Sequence, residues 1–424
     1  MMHQFSLQYA KEADSNDPLN IYREQFYIPH LNNKHAIYFL GNSLGLQPKT
    51  TQDEVLKIMG AWANFGVEGF FMGKEPWLNY HKKITPLLCD IVGAKELELV
   101  TMNHLTVNLH LLMITFYQPT KTRYKIICEA KAFPSDQYAF QSQVKMHGFN
   151  AADAIIEVYP KAGTDIITTA DILSVIEEHK DSVALVLFSG VNYYTGQVFD
   201  IPAITEAAHN AGAYAGFDLA HAAGNVELKL HDWNVDFACW CNYKYLNSGP
   251  GAIAGAFINE KHLQTKNLKR LEGWWGNDVA NRFKMENIYT PSPNAEAWQM
   301  STAPMLLLAS HKASLDIFKQ AGFKNLLIKS KQLSAYLFFV LDHINQPEEK
   351  FKILTPRNGN ERGCQVSLSI NKNAKAVFDE LLPNGIFADW REPNVIRVAP
   401  VPLYNTFEEI FTFAVTLQQI LKKN

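Results

Sequence analysis

Lys244 stands where an amine can do chemistry. It follows the apolar run DFACWC and precedes a glycine-rich turn, in CNYKYLNSGPGAIAGAF. Such a lysine is either a plain surface cation or, when desolvated or set beside other cations, an amine whose pKa falls far enough to form a Schiff base. Asp218 bears on that choice. It ends the apolar run AYAGFD, where an unpaired carboxylate is costly. A helix cap or a buried salt bridge would also satisfy it. An acid ending one strand and a lysine twenty-six residues later, beyond the next strand, form the pair that pyridoxal phosphate (PLP) uses. The carboxylate keeps the ring nitrogen protonated and the ring able to act as an electron sink, and the amine holds the aldehyde. His221, three residues after Asp218, reads as a structural histidine or as a partner that tunes Asp218 or the cofactor's phenolic oxygen.

Further polar residues stand just after other apolar runs. Ser189 and Gly190 follow VALVLF, Tyr243 precedes Lys244, and Phe133, Ser135 and Asp136 follow KIICE. In TMNHLTVNLHLL the run ELVTM leads into a helix from about Leu105. Main-chain N–H groups at such a start bind anions, and the Thr106 hydroxyl adds a donor. Plain capping by Asn103 is the alternative. Neither G-x-G-x-x-G nor a Walker loop occurs, and GNSLG at 41–45 is too loose to mean a phosphate loop. Nucleotides are disfavoured. Arg397 lies inside the apolar run NVIRVAP, so it needs an acidic partner or a ligand. A bidentate guanidinium suits an α-carboxylate.

These residues need a scaffold that brings strand ends together. Candidate strands are 98–102, 125–129, 154–159, 183–188, 213–218, 236–240 and 252–258, near-continuously apolar as in sheets covered on both faces. Between two of them lies DIPAITEAAHNAGA, with Asp200 to cap, Pro202 in the first turn and Gly212 to stop the helix. A β-α-β unit with a parallel crossover follows. Ligands of open α/β sheets sit at the carboxyl ends of the strands. After about residue 305 the pattern changes to a long helical stretch over roughly 306–342, a strand at 365–370, a helix at 373–382, a strand at 394–400 and a helix at 407–422. The expected fold is α/β, with a large domain (61–305) built on a mostly parallel sheet flanked by helices. A smaller α+β domain joins 306–424 to the arm 1–60.

Composition narrows the partners. The 424 residues are 47% hydrophobic and carry a formal net charge of -3. No single-sign field draws in nucleic acid or an anionic membrane. The start has no apolar core of a signal peptide, and the longest apolar runs are too short to span a bilayer. The five cysteines include no C-x-x-C pair and read as reduced, buried thiols without metal. A cytoplasmic protein is expected.

The segments FLGNSLGLQP, MNHLTVNLHLLM, EAKAFPSDQYA, LFSGVNYYTGQ, GWWG, RFKM and IRVAPVPLYN, with the block Gly216–Gly251, resemble the kynureninase family, in order from about residue 38 to 405. The resemblance implies the type I PLP-dependent transferase fold and hydrolysis of L-kynurenine to anthranilate and alanine by Cβ–Cγ cleavage. It also implies roles. Lys244 would hold the cofactor and move the Cα proton, Asp218 would pair with the ring nitrogen, and Tyr243 would be the acid/base near the γ-carbon. Phe133 would stack on the ring, with Pro134 and Ser135 beside it and Asp136 on the nitrogen side. Leu105, Thr106 and Tyr243 would serve the phosphate, and Ser189 and His221 would complete the cofactor shell. Trp274 and Thr302 would reach in from the partner subunit of a homodimer with shared sites. Arg397 would bind the substrate carboxylate, with Asn42, Ser43 and Phe70 also toward the substrate.

Two positions depart from some relatives. Thr302 stands where others carry asparagine, and Phe70, in GVEGFFMGK, where others carry histidine. Both bear on the 3-hydroxyl of 3-hydroxykynurenine. Rival readings are a cysteine desulfurase or aminotransferase, and a non-catalytic PLP carrier. A desulfurase needs a mobile nucleophilic cysteine, for which Cys364 is the nearest fit, whereas a carrier needs no substrate clamp of the Tyr243, Arg397 and Trp274 kind.

Overall fold

The computed structural model describes residues 3–31, 33–265 and 268–424. Seven strands form its main sheet: β1 (Leu99–Met102), β2 (Lys125–Glu129), β3 (Ile155–Val158), β4 (Val183–Ser189), β5 (Tyr214–Asp218), β6 (Phe237–Cys241) and β7 (Ala254–Ile258). Their spatial order is β1-β7-β6-β5-β4-β2-β3. All neighbours run parallel except β7, which is antiparallel to both β6 and β1. The strands are apolar on both faces because helices cover both. The segments in β4, β6 and β7 are almost wholly buried.

Three helices matter for the site: α1 (Leu105–Phe116), α2 (Pro134–Met146) and α3 (Ile201–Asn210). α3 bears the expected signals. The Asp200 side chain accepts from the Ala203 N–H, Pro202 lies in the first turn, and Gly212 turns the chain away at φ +71°, a region that suits glycine. β4 and β5, which flank α3, pair in parallel with Ser189 opposite Asp218.

The long helical stretch expected over 306–342 is made of two helices, α4 (Met305–Ala321) and α5 (Phe323–Ile344). Gly322 breaks it at φ +75°, which no continuing helix adopts. Apolar residues of α4, among them Leu308, Leu315 and Phe318, join the cluster under the main sheet. A second sheet has the order β8 (Phe351–Ile353), β9 (Val366–Ile370), β11 (Val395–Val398), β10 (Asp389–Arg391), all antiparallel. Its cluster includes α5, the final helix α6 (Phe407–Lys423), and Ala10 and Phe39 of the N-terminal segment. Ile37–Tyr38 also pairs in parallel with Ile386–Phe387.

Candidate active site

At the carboxyl edge of the main sheet lies a cavity whose lining includes Leu105, Thr106, Phe133, Ser135, Asp136, Ser189, Asp218, His221, Tyr243 and Lys244. Each arrives from a strand end or helix start. Asp218 is the last residue of β5, Ser189 the last of β4, and Lys244 sits in the connection between β6 and β7. That connection is braced by the N-terminal segment. Gly45 donates its N–H to the Tyr243 carbonyl at 2.8 Å. A Cβ on Gly45 would lie 2.3 Å from the Lys244 carbonyl oxygen and 2.2 Å from Asn247 Oδ1, so only glycine fits.

The electrostatics separate the acids. Burial pushes Asp218 upward, but the Ala220 N–H, at 2.7 Å, and the Lys244 charge oppose that rise. Burial, reinforced by the charges of Asp218 and Glu129, drives Asp136 well above the carboxylate range. Both acids are pushed upward, Asp136 the further, so Asp136 is the one of the two that keeps a proton more readily. Burial and the Lys244 charge keep His221 well below its usual value, hence neutral. Burial likewise raises Tyr243, so its phenol stays protonated.

Several polar atoms here are buried without a partner: Ser189 Oγ, His221 Nδ1 and Asp136 Oδ1. Buried polar atoms are normally satisfied. α1 starts at the cavity with no side-chain cap, since Asn103 turns to Asn108 instead at 3.0 Å. The Thr106 and Ser135 hydroxyls meet there at 2.7 Å. The Lys244 Nζ lies 5.9 Å from the centroids of the Phe133 and Tyr243 rings. An amine, a buried acid at a strand end, an uncapped helix start and a half-exposed ring in one cavity suit a planar aldehyde bearing an anionic group.

Other expected residues lie elsewhere. Pro134 opens α2 but does not line the cavity. Arg397, 1% exposed, is paired with Asp389 and donates to the Tyr193 carbonyl. Tyr193 does line the cavity. Ser43 bonds the same Asp389 at 2.7 Å, and Asn42 bonds Gln365 at 2.9 Å. Phe70 packs on Trp77 and Trp275, with ring centroids 5.3 and 6.2 Å away. Trp274 is exposed and Thr302 half-buried, both outside the cavity of this chain. Sequence reasoning missed Glu129, Tyr193 and Cys241 in the lining. Glu129 bears the same mark as Asp218, an acid closing an apolar strand.

No cysteine here is poised to attack. Cys364 is fully buried, with its thiol pushed up to about 12 by burial. Burial raises Cys241 as well.

Residues 326–417 match the model of the kynureninase C-terminal domain. The chain is 53% identical to a kynureninase of Flavobacterium psychrophilum over 100% of its own length and 99% of that protein's. It is 48% identical to a kynureninase of Homo sapiens, over 97% and 92%. The chain belongs to the kynureninase family. The fold of this kynureninase-family chain extends further than its sequence likeness. A cysteine desulfurase of Thermococcus onnurineus superposes with a TM-score of 0.76 at 18% identity, over 98% of each chain. A C-DES mutant with glycine covalently linked to its PLP cofactor gives 0.76 at 17%, over 93% and 98%. At such identities the likeness speaks for the fold, the type I PLP-enzyme architecture.

Proposed function

We propose that this chain is a PLP-dependent kynureninase that hydrolyses L-kynurenine to anthranilate and L-alanine. The observation that carries this is the pairing of Lys244 with Asp218 in one cavity of a chain about half identical to kynureninases along its whole length. Lys244 and Asp218 would hold the cofactor with Phe133, Ser135, Asp136, Ser189, His221 and the α1 start at Leu105 and Thr106. When bound, the cofactor supplies an electron sink conjugated to the substrate's Cα. The chain's own groups do the rest. Arg397 would take the substrate carboxylate in place of part of its Asp389 contact. Lys244 Nζ would carry the Cα proton, and the protonated Tyr243 Oη would act as the acid at the γ-carbonyl. Water adds there, and Cβ–Cγ cleavage leaves anthranilate and alanine. The test is product analysis: purified protein with PLP and kynurenine should yield the two products in equal amounts. An aminotransferase would instead leave the carbon skeleton intact.

The working unit in this reading is a homodimer with shared sites. Phe71, Phe283 and Trp274 are exposed yet touch in series, with ring centroids 6.0 and 5.6 Å apart. Exposed aromatic groupings of this kind mark contact surfaces, and a second copy would bring Trp274 and Thr302 to its partner's cavity. Mixing inactive Lys244→Ala and Trp274→Ala chains should then restore part of the activity through hybrid sites. No recovery despite subunit exchange would argue against sharing. A cytoplasmic setting is in keeping with five unpaired cysteines. Among the described residues, no helix is long and apolar enough to cross a membrane.

A further inference from the structure

Glu129 is an acid that the proposed reaction leaves idle. It closes β2, is 2% exposed, and lines the same cavity as Asp136, Asp218 and Lys244. The residues before it, Ile126, Ile127 and Cys128, are apolar and buried, so packing alone would be served by another apolar side chain. Burial pushes its pKa up to about 7, the Ser189 contacts oppose that rise, and the nearby Asp218 charge adds to it. A carboxyl kept in a dry place at this cost acts on what it touches.

What it touches is Ser189. The pairing of β2 with β4 stops at Ile127 opposite Val186, yet β4 continues to Ser189. The Ser189 N–H therefore lacks a strand acceptor on that side. Both oxygens of Glu129 supply one, at 3.2 and 3.0 Å. On the other side Ser189 is in register with Asp218, and the Gly190 N–H donates to the Asp218 carbonyl at 2.7 Å. Ser189 is thus gripped from both flanks, while its own hydroxyl is buried without a partner.

We propose that Glu129 is a positioning residue, whose carboxyl substitutes for the missing strand acceptor and so fixes the Ser189 hydroxyl for the bound cofactor. This rests on the cofactor reading above. The Glu129 side chain anchors the β4 end from behind and needs no contact with the cofactor itself.

The test titrates PLP into the cofactor-free protein, follows the visible absorbance of the Lys244 adduct, and records thermal unfolding of the cofactor-free chain alongside. Glu129→Leu should weaken PLP binding about tenfold or more while lowering the unfolding temperature by only a few degrees, since the stranded Ser189 N–H is offset in part by the loss of a desolvated carboxyl. Glu129→Gln retains an acceptor oxygen and should bind within about threefold of the parent. Ser189→Ala should lose about tenfold by itself, and the Glu129→Leu/Ser189→Ala double variant no more than the worse single one. Parent-like binding by Glu129→Leu, or losses that add fully in the double variant, would overturn the proposal. Parent-like binding by Ser189→Ala overturns it even if the leucine variant does not fold. Failure of the parent to develop the absorbance, or its survival in Lys244→Ala, would instead overturn the cofactor reading.

Discussion

The two ends of the main sheet treat a buried aspartate in opposite ways. Asp218 closes β5 at the carboxyl edge, and Asp236 immediately precedes β6 at the other. Asp236 is saturated with donors. His209 Nε2 at 2.8 Å and the Ala215 N–H at 2.7 Å reach one oxygen, and His262 Nε2 and Lys261 Nζ, each at 2.8 Å, reach the other. Burial disfavours its charge, but the two histidines and Lys261 outweigh burial and hold it well below the carboxylate range. Asp218 has one main-chain donor and only the nearby charge of Lys244, and it shares its cavity with two further acids and several unpartnered polar atoms. A buried charge with every lone pair answered stabilises a fold; one left partly unanswered is an opening for a ligand. The difference is legible only when the partners are counted.

The comparison can be broken most decisively at the amine. Lys244→Ala should abolish the PLP absorbance and lower turnover of kynurenine by about 10²–10⁴-fold or more, with stability of the cofactor-free chain little changed. Normal turnover would remove Lys244 from the site.

The paired aspartates offer the next largest effect, in opposite observables. Asp236→Asn should cost about 1–3 kcal/mol of stability at neutral pH, by leaving Lys261 without its counter-charge and turning an amide NH2 towards donors that a carboxylate oxygen had answered, with PLP affinity preserved. The folded-state pKa of Asp236 lies below its unfolded value. Its contribution is therefore complete above the unfolded carboxylate range, near about 4, and is lost as pH falls through the lower folded value. Denaturant midpoints of parent and variant should converge in acid. Asp218→Asn should do the reverse: stability within about 1 kcal/mol, with PLP affinity and activity largely lost. Equal stability losses in the two variants would erase the distinction between the ends.

The smallest expected effect concerns substrate choice. Phe70 packs on Trp77 and Trp275 and offers no hydrogen-bonding group. Phe70 lies outside the cavity of this chain, so it meets the substrate ring only through the shared sites of the proposed homodimer; there a 3-hydroxyl left unpaired would cost about 1–3 kcal/mol, and kcat/KM should favour kynurenine over 3-hydroxykynurenine by up to about a hundredfold. Phe70→His should narrow that ratio. A parent that favours the hydroxylated substrate would refute this outright, and an unchanged ratio in Phe70→His would acquit Phe70.

Much of the site can be read from the chain because its residues directly follow apolar runs. Asp218, Ser189 and Lys244 each announce a strand end. Glu129 carries the same signal as Asp218, but the following AKAFPSD supplies Phe133, Ser135 and Asp136, which answer for that strand end without it. The antiparallel course of β7 has no local mark, since a buried strand is apolar whichever way it runs. Gly322 does announce the break between α4 and α5, yet a lone glycine is also tolerated within helices. The Asp389 partner of Arg397 is on an adjacent strand, and a pairing across strands depends on register that composition does not encode.

Gly45 carries the last lesson. Its main chain presses on the Lys244 and Tyr243 carbonyls so closely that even a methyl group there would push the loop aside. In a mutational map of this enzyme, position 45 should stand out as sharply as the cavity itself, although it lies 199 residues before Lys244 along the chain. Tolerance to substitution would thus trace the shape of the lysine's support, and the steepest barrier to evolutionary drift in the N-terminal segment would be set by an atom that glycine lacks.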